Sequence, residues 1–309
     1  MDSSTLAQKG IGELQRSAER FENYNDGFIL PDTFLIVRLD AHRLGDWGEL
    51  SNEYPCGPQV TKALHDTARL LMTSTFRVLL AYVHGDEISL LIDPSESTNP
   101  IRRSKLLSTI ASAAAVHFVK ASGKEALFDA RLSELPSRDR VVEYLFWQRR
   151  YCFRNATTIA LRTALLAAGE SAEEAERSIH GIPEKQRVAR LAERGIALES
   201  IPHTTRRGAL FFWSTVVKDG REHFRIVSDA RLSDDDERYI QQLNAVLSSA
   251  LGDAVSAAHT TLSTPANADS AASAPRAANS EPSSSSPREY KGNKKTNVSV
   301  FRVPSSATK

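Results

Sequence analysis

The chain is poor in cysteine, with only Cys56 and Cys152, far apart in 309 residues. Two isolated thiols give no disulfide framework and no thiolate metal site, and their scarcity fits a reducing cytoplasm. Long apolar runs are missing as well. The opening Met1-Asp-Ser-Ser has no apolar signal core, and no run of about 18 apolar residues follows, so secretion and membrane spanning are both disfavoured. Strong net charge is the third absence. Lys and Arg (39) balance Asp and Glu (38) to leave +1, so no global field draws the chain to nucleic acid. Any RNA-binding surface must be a local basic patch.

What is present is enough apolar material, 41% of the chain, for a full core in one large domain with a tail. Two stretches organise it. Phe34-Leu-Ile-Val-Arg-Leu-Asp40 reads as a strand, and Val78–Val83 and Ile88–Ile92 read as two more, joined through His84-Gly85-Asp86-Glu87. Helical stretches at Gln59–Ser74 and Ile101–Lys120 and a strand at Ala126–Leu132 complete the order β-α-β-β-α-β. That order is the ferredoxin-like, palm-type antiparallel sheet of an α+β fold. Its first and third strands lie side by side and antiparallel, so the end of one meets the start of the other. Asp40 occupies the first position, and Asp86 and Glu87 the second. Adjacent strands are about 4.8 Å apart, so these carboxylates converge and raise one another's pKa. A divalent cation removes the conflict, the usual solution being two Mg²⁺ about 3.5–4 Å apart with phosphate oxygens between them. The alternative, a loop cap at Asp40 and a solvated turn at Asp86-Glu87, is disfavoured by the element order.

The expected organisation is a helical arm over 1–32, a palm-like catalytic part over 33–135, and a helical and hairpin part of the same unit over 136–251. A disordered tail over 252–309 ends the chain. Asp139–Ala168 reads as helix with a break near Cys152-Phe153. It carries Arg149, Arg150 and Arg154 interleaved with Trp147, Tyr151 and Phe153, which suits RNA phosphates and end-stacked bases, or equally a solvated cationic face over a core stripe. Ser171–Arg194 continues as helix, with Ser171 as N-cap and Gly181-Ile-Pro183 dividing it. Tandem Arg206-Arg207 offers a grip for phosphate. Leu210–Val217 and His223–Ser228 read as a hairpin turning at Asp219-Gly220, and Ser233–Leu251 as a final helix. From Gly252 the composition shifts to Ala, Ser, Thr, Pro and Asn, which cannot bury enough apolar area to offset chain entropy.

Five motifs in order resemble those of the tRNA-His guanylyltransferase family, the 3′-to-5′ nucleotide polymerases that include Thg-like tRNA-repair proteins. Arg38-Leu-Asp40-Ala-His-Arg43 resembles that family's Arg-x-Asp-Gly-Arg, and Gly85-Asp86-Glu87-Ile-Ser89 its Ser-Asp-Glu-Tyr-Ser. Phe128-Asp-Ala-Arg131 resembles a Phe-Asp-Ala-Arg strand. Tyr144-Leu-Phe-Trp147-Gln-Arg with Arg154-Asn155 resembles a Tyr-Phe-x-Trp-Arg-Gln…Asn helix. Lys185, Gly195-Ile196, Pro202 and Arg206-Arg207-Gly208 resemble the family's closing motifs.

The resemblance implies a tRNA 5′-end nucleotidyltransferase acting with two Mg²⁺ ions on tRNA and NTPs, with ATP or GTP activating the 5′-phosphate. It assigns catalysis to Asp40, Asp86 and Glu87, the last as an outer or weak ligand. Metal ligation falls to Asp40, Asp86 and the carbonyl of Ala41, which replaces the usual glycine. Nucleotide binding falls to Ala41, His42, Arg43, Leu44, Gly45, Gly85, Arg131, Asn155 and Lys185, with Arg131 equally free to pair with Asp129. RNA binding falls to Arg149, Arg150, Arg154, Arg206 and Arg207. Phe153 stands where eukaryotic members carry a histidine tied to choosing tRNA-His. Members are commonly tetramers, which makes a homotetramer an expectation of resemblance alone, and the expected compartment is cytoplasmic. Two other classes share the palm-like sheet and paired aspartates: a nucleotide cyclase or signalling-nucleotide synthetase, and a non-catalytic tRNA-binding relative.

Overall fold

The computed structural model of the chain describes residues 27–42, 44, 57–74, 76–93, 101–218, 221–229 and 233–252. Of the helical arm expected over 1–32 only residues 27–32 are described, and they form no helix but an isolated bridge from Phe28 to Arg102 and a turn; Arg43, Gly45 and the tail from residue 253 lie outside the described residues. From Phe34 the elements run β1 (Phe34–His42), α1 (Pro58–Met72), β2 (Val78–His84), β3 (Glu87–Ile92), α2 (Arg103–Ser122) and β4 (Leu127–Leu135). This is the β-α-β-β-α-β order read from the sequence, and the strands pair antiparallel as β4-β1-β3-β2. Downstream come the helices α3 (Arg138–Ala167), α4 (Ala172–Ile179), α5 (Glu184–Glu193) and α6 (His203–Arg207). Strands β5 (Ala209–Lys218) and β6 (Arg221–Asp229) and helix α7 (Asp236–Ala250) follow. The β5–β6 hairpin does more than close the chain: β5 pairs with β2 and extends the sheet to six strands, β4-β1-β3-β2-β5-β6.

Alternation along β1 sorts the two faces of the sheet. Leu35, Val37, Leu39 and Ala41 are buried on the face that carries α1 and α2. Phe118 of α2 meets Phe128, the register partner of Ala41, with ring centroids 5.7 Å apart. His65 of α1 meets Phe211 of β5 at 5.2 Å. The other face turns Arg38 and Asp40 toward α3, where the Arg38 guanidinium lies 5.9 Å from the Trp147 ring.

Helix α3 runs unbroken through Cys152 and Phe153, correcting the expected break. No proline or glycine interrupts residues 138–167; Val141, Leu145, Cys152 and Ala156 are buried along one side, and Leu161 and Leu165 are buried on another side further along. Its N-terminus is capped by Ser137 with Asp139 in the first turn. Its far half packs against α4 and α5 in a second apolar cluster of Leu161, Leu165, Ala175, Ile179 and Leu191. Helix α4 opens with the expected Ser171 cap, completed as a capping box by Glu174, and the chain leaves helix between Ile179 and Glu184 as Gly181-Ile-Pro183 required.

One glycine fixes how β5 enters the sheet. Gly208 sits at φ 72° and ψ −171°, a conformation open essentially to glycine alone. The Tyr82 hydroxyl donates to the Arg207 carbonyl at 2.6 Å beside it. A Cβ on Gly208 would lie 2.5 Å from that hydroxyl and 2.8 Å from the Val83 carbonyl. Gly208→Ala is therefore expected to lose roughly 2–4 kcal/mol, the sum of backbone strain and overpacking. Urea unfolding checks this as a lowered midpoint at unchanged slope.

Candidate active site

Strand register builds the site. Asp40 of β1 is the direct partner of Glu87 on β3 and of Asp129 on β4, and Glu87 is in turn the partner of His84 on β2. Three carboxylates and an imidazole thus stand in one row across four strands. Behind them runs a second row, Arg131, Arg38, Ser89 and Tyr82. The β2–β3 turn is Gly85-Asp86, closed by the His84–Glu87 pair. Gly85 has φ 55° and Asp86 does not share the positive φ, the pattern of a type II′ hairpin that demands glycine first. The Ala41 N–H donates to the Asp86 carbonyl at 3.0 Å, so the turn is tied to the end of β1.

The acids in this cluster divide into two kinds. Asp129 is held by His42 at 3.2 Å and by Arg131 at 3.5 Å. Glu87 is held by His84 at 3.3 Å and by Arg38 at 3.6 Å. Neither Asp40 nor Asp86 has an ion-pair partner among the described residues. The protonation tendencies follow. Burial, then the charges of Glu87 and Asp129, push Asp40 above its ordinary value, with His42 and Arg131 opposing. Burial likewise raises Asp86, helped by Asp40 and Glu87 and opposed by its own backbone N–H and by His84. Burial would raise Glu87 too, but His84, Arg38 and Arg131 outweigh it and hold the carboxyl below its usual range.

Asp40, His84, Gly85, Asp86 and Glu87 line a cavity of about 230 Å³, roofed by Tyr151, Cys152, Asn155 and Ala156 of α3 and by Thr205. Asn155, expected on the nucleotide, is therefore at the acids. His84 is buried, and its Nε2 also lies 2.5 Å from Gln148 Oε1, which ties the row to α3. Cys152 is buried, its Sγ 3.2 Å from the Thr205 carbonyl, and burial pushes the thiol up to about 12, so it is no nucleophile.

Other expected residues fall elsewhere. Arg131 extends into solvent against Asp129, the second of its two readings, while still lowering the pKa of Asp40 and Glu87 by its charge. Leu44 packs against the hydrophobic core. Lys185 is exposed on α5 and lines none of this cavity. Of the five arginines expected on RNA, Arg149 is fully buried and donates to the carbonyls of Ser233 at 2.7 Å and Asp234 at 3.0 Å, its guanidinium 4.1 Å from the Tyr239 ring. Arg206 and Arg207 close on Asp234 at 3.4 and 3.0 Å, and Arg207 lies over Phe153 at 4.4 Å. These three are joints between α3, α6 and the approach to α7, a correction to the RNA reading. Arg150 is half-exposed and shared between Asp236 and Glu184. Only Arg154 keeps an exposed head without an ion pair among the described residues.

Asp129, His84 and Gln148 were missed as site residues. The signal for Asp129 was its period-2 relation to Arg131, but only the register sets it beside Asp40. No cluster of three or more His, Cys, Asp or Glu side chains poised to hold a metal occurs among the described residues. The two unpaired, like-charged carboxylates do fit magnesium, which takes one or two protein carboxylates and completes its shell with water and phosphate.

The raised carboxyls carry a stability consequence. A carboxyl whose folded pKa exceeds its unfolded one is bound by more protons in the native state, so the fold weakens as pH rises through that window. Asp86→Asn is expected to raise the melting temperature at pH 7 in metal-free buffer. The advantage should shrink as pH is lowered into the ordinary carboxylate range, as thermal melts from pH 3 to 8 would check.

A family model described as tRNAHis guanylyltransferase matches residues 15–144. The tRNA(His) guanylyltransferase of Debaryomyces hansenii is 30% identical over 178 residues, 53% of this chain and 66% of that protein. The tRNA(His) guanylyltransferase 1 of Arabidopsis thaliana is 24% identical over 220 residues, 66% of this chain but 38% of that protein. The chain thus spans less than two thirds of the length of these curated relatives. Among solved structures, a bacterial tRNA(His) guanylyltransferase-like protein in complex with GTP is similar at TM-score 0.58 and 18% identity, covering 77% of this chain and 99% of that one. The tRNA(His) guanylyltransferase of Saccharomyces cerevisiae is similar at TM-score 0.54 and 19% identity, covering 70% and 99%. At these identities the structures speak for the palm-like fold, and the sequence matches run through the strands that bear Asp40 and Asp86. The chain is similar to the tRNA-His guanylyltransferase family over residues 15–144 and shares the palm-like fold of its solved members.

Proposed function

We propose that this protein is a tRNA 5′-end nucleotidyltransferase that adds nucleotides in the 3′-to-5′ direction, either G to tRNA-His or template-directed nucleotides to damaged ends. The observation that carries the reading is the asymmetry of the acids: Glu87 and Asp129 each have an arginine and a histidine beside them, while Asp40 and Asp86 line one cavity with no ion-pair partner among the described residues. Like charges set this close without a counter-charge cost stability, and a site that binds cation and phosphate recovers it.

In this reading the 5′-phosphate attacks the α-phosphorus of ATP or GTP, releasing pyrophosphate and leaving a 5′-nucleotidyl cap, and the 3′-hydroxyl of the next NTP then attacks the activated phosphate and displaces the nucleoside monophosphate. Asp40 and Asp86 would hold two magnesium ions, whose chemistry when bound is to neutralise phosphoryl oxygens and lower the pKa of the attacking hydroxyl. The Ala41 N–H donates to the Asp86 carbonyl, which keeps its backbone beside the turn that bears Asp86, and its own carbonyl is the further oxygen proposed for a metal. Asn155, on the cavity wall, is a hydrogen-bonding group for the nucleotide. Arg131, 62% exposed, would have to leave Asp129 to meet triphosphate, and Lys185 would have to reach it from α5. Glu87 serves in positioning, fixed by His84 and Arg38. A tetramer and a cytoplasmic place of action complete the reading. No helix among the described residues is long and apolar enough to cross a membrane.

Asp40→Ala or Asp86→Ala should lower addition of labelled NTP to 5′-triphosphorylated, truncated tRNA at least about 100-fold, because several kcal/mol of charge stabilisation is lost. Each variant should keep its circular dichroism spectrum. Full activity in either one would refute the assignment, and free small nucleotide formed from NTP alone would point to a cyclase. The arginines separate by a second measurement. Arg154→Ala should weaken tRNA binding and reduce the salt slope by about 1, whereas Arg149→Ala should leave the slope unchanged. Arg149→Ala should instead cost roughly 2–4 kcal/mol of stability, since its hydrogen bonds are charge-assisted and buried.

A further inference from the structure

Helix α3 presents an aromatic stripe that the proposed chemistry does not use. Tyr144, Trp147 and Tyr151 recur at i, i+3 and i+7 and so share one face of the helix. Tyr144 meets Trp147 edge-on at 5.4 Å, and Trp147 stacks on Tyr151 at 6.0 Å with the rings 27° apart. A tryptophan serving the core would be covered, as Trp213 is at 4% exposure. Trp147 keeps 46% of its surface in solvent and Tyr151 36%. The stripe also leads somewhere: Tyr151 packs edge-on against His84 at 6.0 Å and lines the cavity with Asp40 and Asp86. Beside it, Arg38 lies under Trp147, and Arg131, 62% exposed, stands next to Arg38 on β4.

We propose that Tyr144, Trp147 and Tyr151 form a stacking platform for the unpaired terminal bases of an RNA strand, guiding its end to the carboxylate pair. The inference rests on the polymerase reading above and adds the surface that receives the RNA. Two features select this occupant. Ring faces beside guanidinium groups match a ligand with both π faces and phosphates, a combination that proteins and lipids lack and single-stranded nucleic acid has. The stripe spans seven residues of helix, about 10 Å at 1.5 Å per residue. That length corresponds to about three bases at 3.4 Å each, more than one mononucleotide supplies.

The test uses the full chain and an RNA stem with unpaired terminal nucleotides, carrying 2-aminopurine at the terminal position or at a paired internal one. Wild type should quench the terminal probe and leave the internal one nearly unchanged. Trp147→Ala should lose most of that quenching and bind the RNA about tenfold more weakly, the scale of one lost base–aromatic stack. Trp147→Phe should retain both, and Tyr151→Phe serves as a second conservative control. Because Trp147 is exposed, the alanine variant should melt close to wild type, and if it does not, the comparison of Trp147→Phe with Trp147→Leu replaces it. Equal quenching and affinity in wild type and the non-aromatic variant would overturn the platform, as would equal quenching of the internal probe. An equal Trp147 emission response to ATP without RNA would overturn it too, by giving the stripe to the mononucleotide. Wild type that binds no RNA and adds no nucleotide would refute the polymerase reading itself. Wild type that does both, with a silent Trp147→Ala, would refute this inference alone.

Discussion

Repulsion among carboxylates is the constraint to which the rest of the structure answers. Antiparallel register sets Asp129, Asp40 and Glu87 on three adjacent strands in one row, and the II′ turn adds Asp86 beside them. Like charges directly opposite on neighbouring strands destabilise a sheet. The second row answers part of the load: Arg38 and Arg131 stand one step behind the acids, and His84 and His42 stand at their sides. The compensation stops short of Asp40 and Asp86. A fold selected for stability alone would have matched or removed that pair, so the residual charge is the feature on which the proposed cation and phosphate site rests.

The long helix α3 turns this row into an enclosed site. Gln148 reaches His84, Tyr151 and Asn155 roof the acids, and Cys152 sits inert against the chain of α6. Arg149, one residue from Gln148, points the other way and locks the helix to the start of α7 through two carbonyls and the Tyr239 ring. Asp234 gathers Arg206 and Arg207 at the same junction, and these arginines hold its carboxyl below the usual range against the opposing effect of burial. Arginines that resemble a phosphate grip in sequence are here the fasteners between helices. They are satisfied by carbonyls and an acid far away along the chain, which spacing alone cannot reveal.

The family resemblance and the geometry agree on the sheet and diverge in detail at its margins. Alanine at position 41 is compatible with a backbone role, since its N–H makes a strand-like hydrogen bond to Asp86 and φ stays negative. Phe153 is buried beneath the Arg207 guanidinium. That position offers no ring nitrogen to a nucleotide in this chain.

The sequence by itself determined the order of elements from Phe34 to the last helix and the meeting of Asp40 with Asp86 and Glu87, because local periodicity and the ferredoxin-like topology leave few alternatives. It also determined the caps and the dividing Gly181-Ile-Pro183, whose chemistry is local. Four things were decided by tertiary structure. These are Asp129 opposite Asp40, the hairpin joining β2 as fifth and sixth strands, the continuity of α3 through Cys152, and the burial of Arg149, Arg206 and Arg207. Each depends on a partner many residues away, and charge balance or packing between distant segments leaves no mark on the spacing of either one.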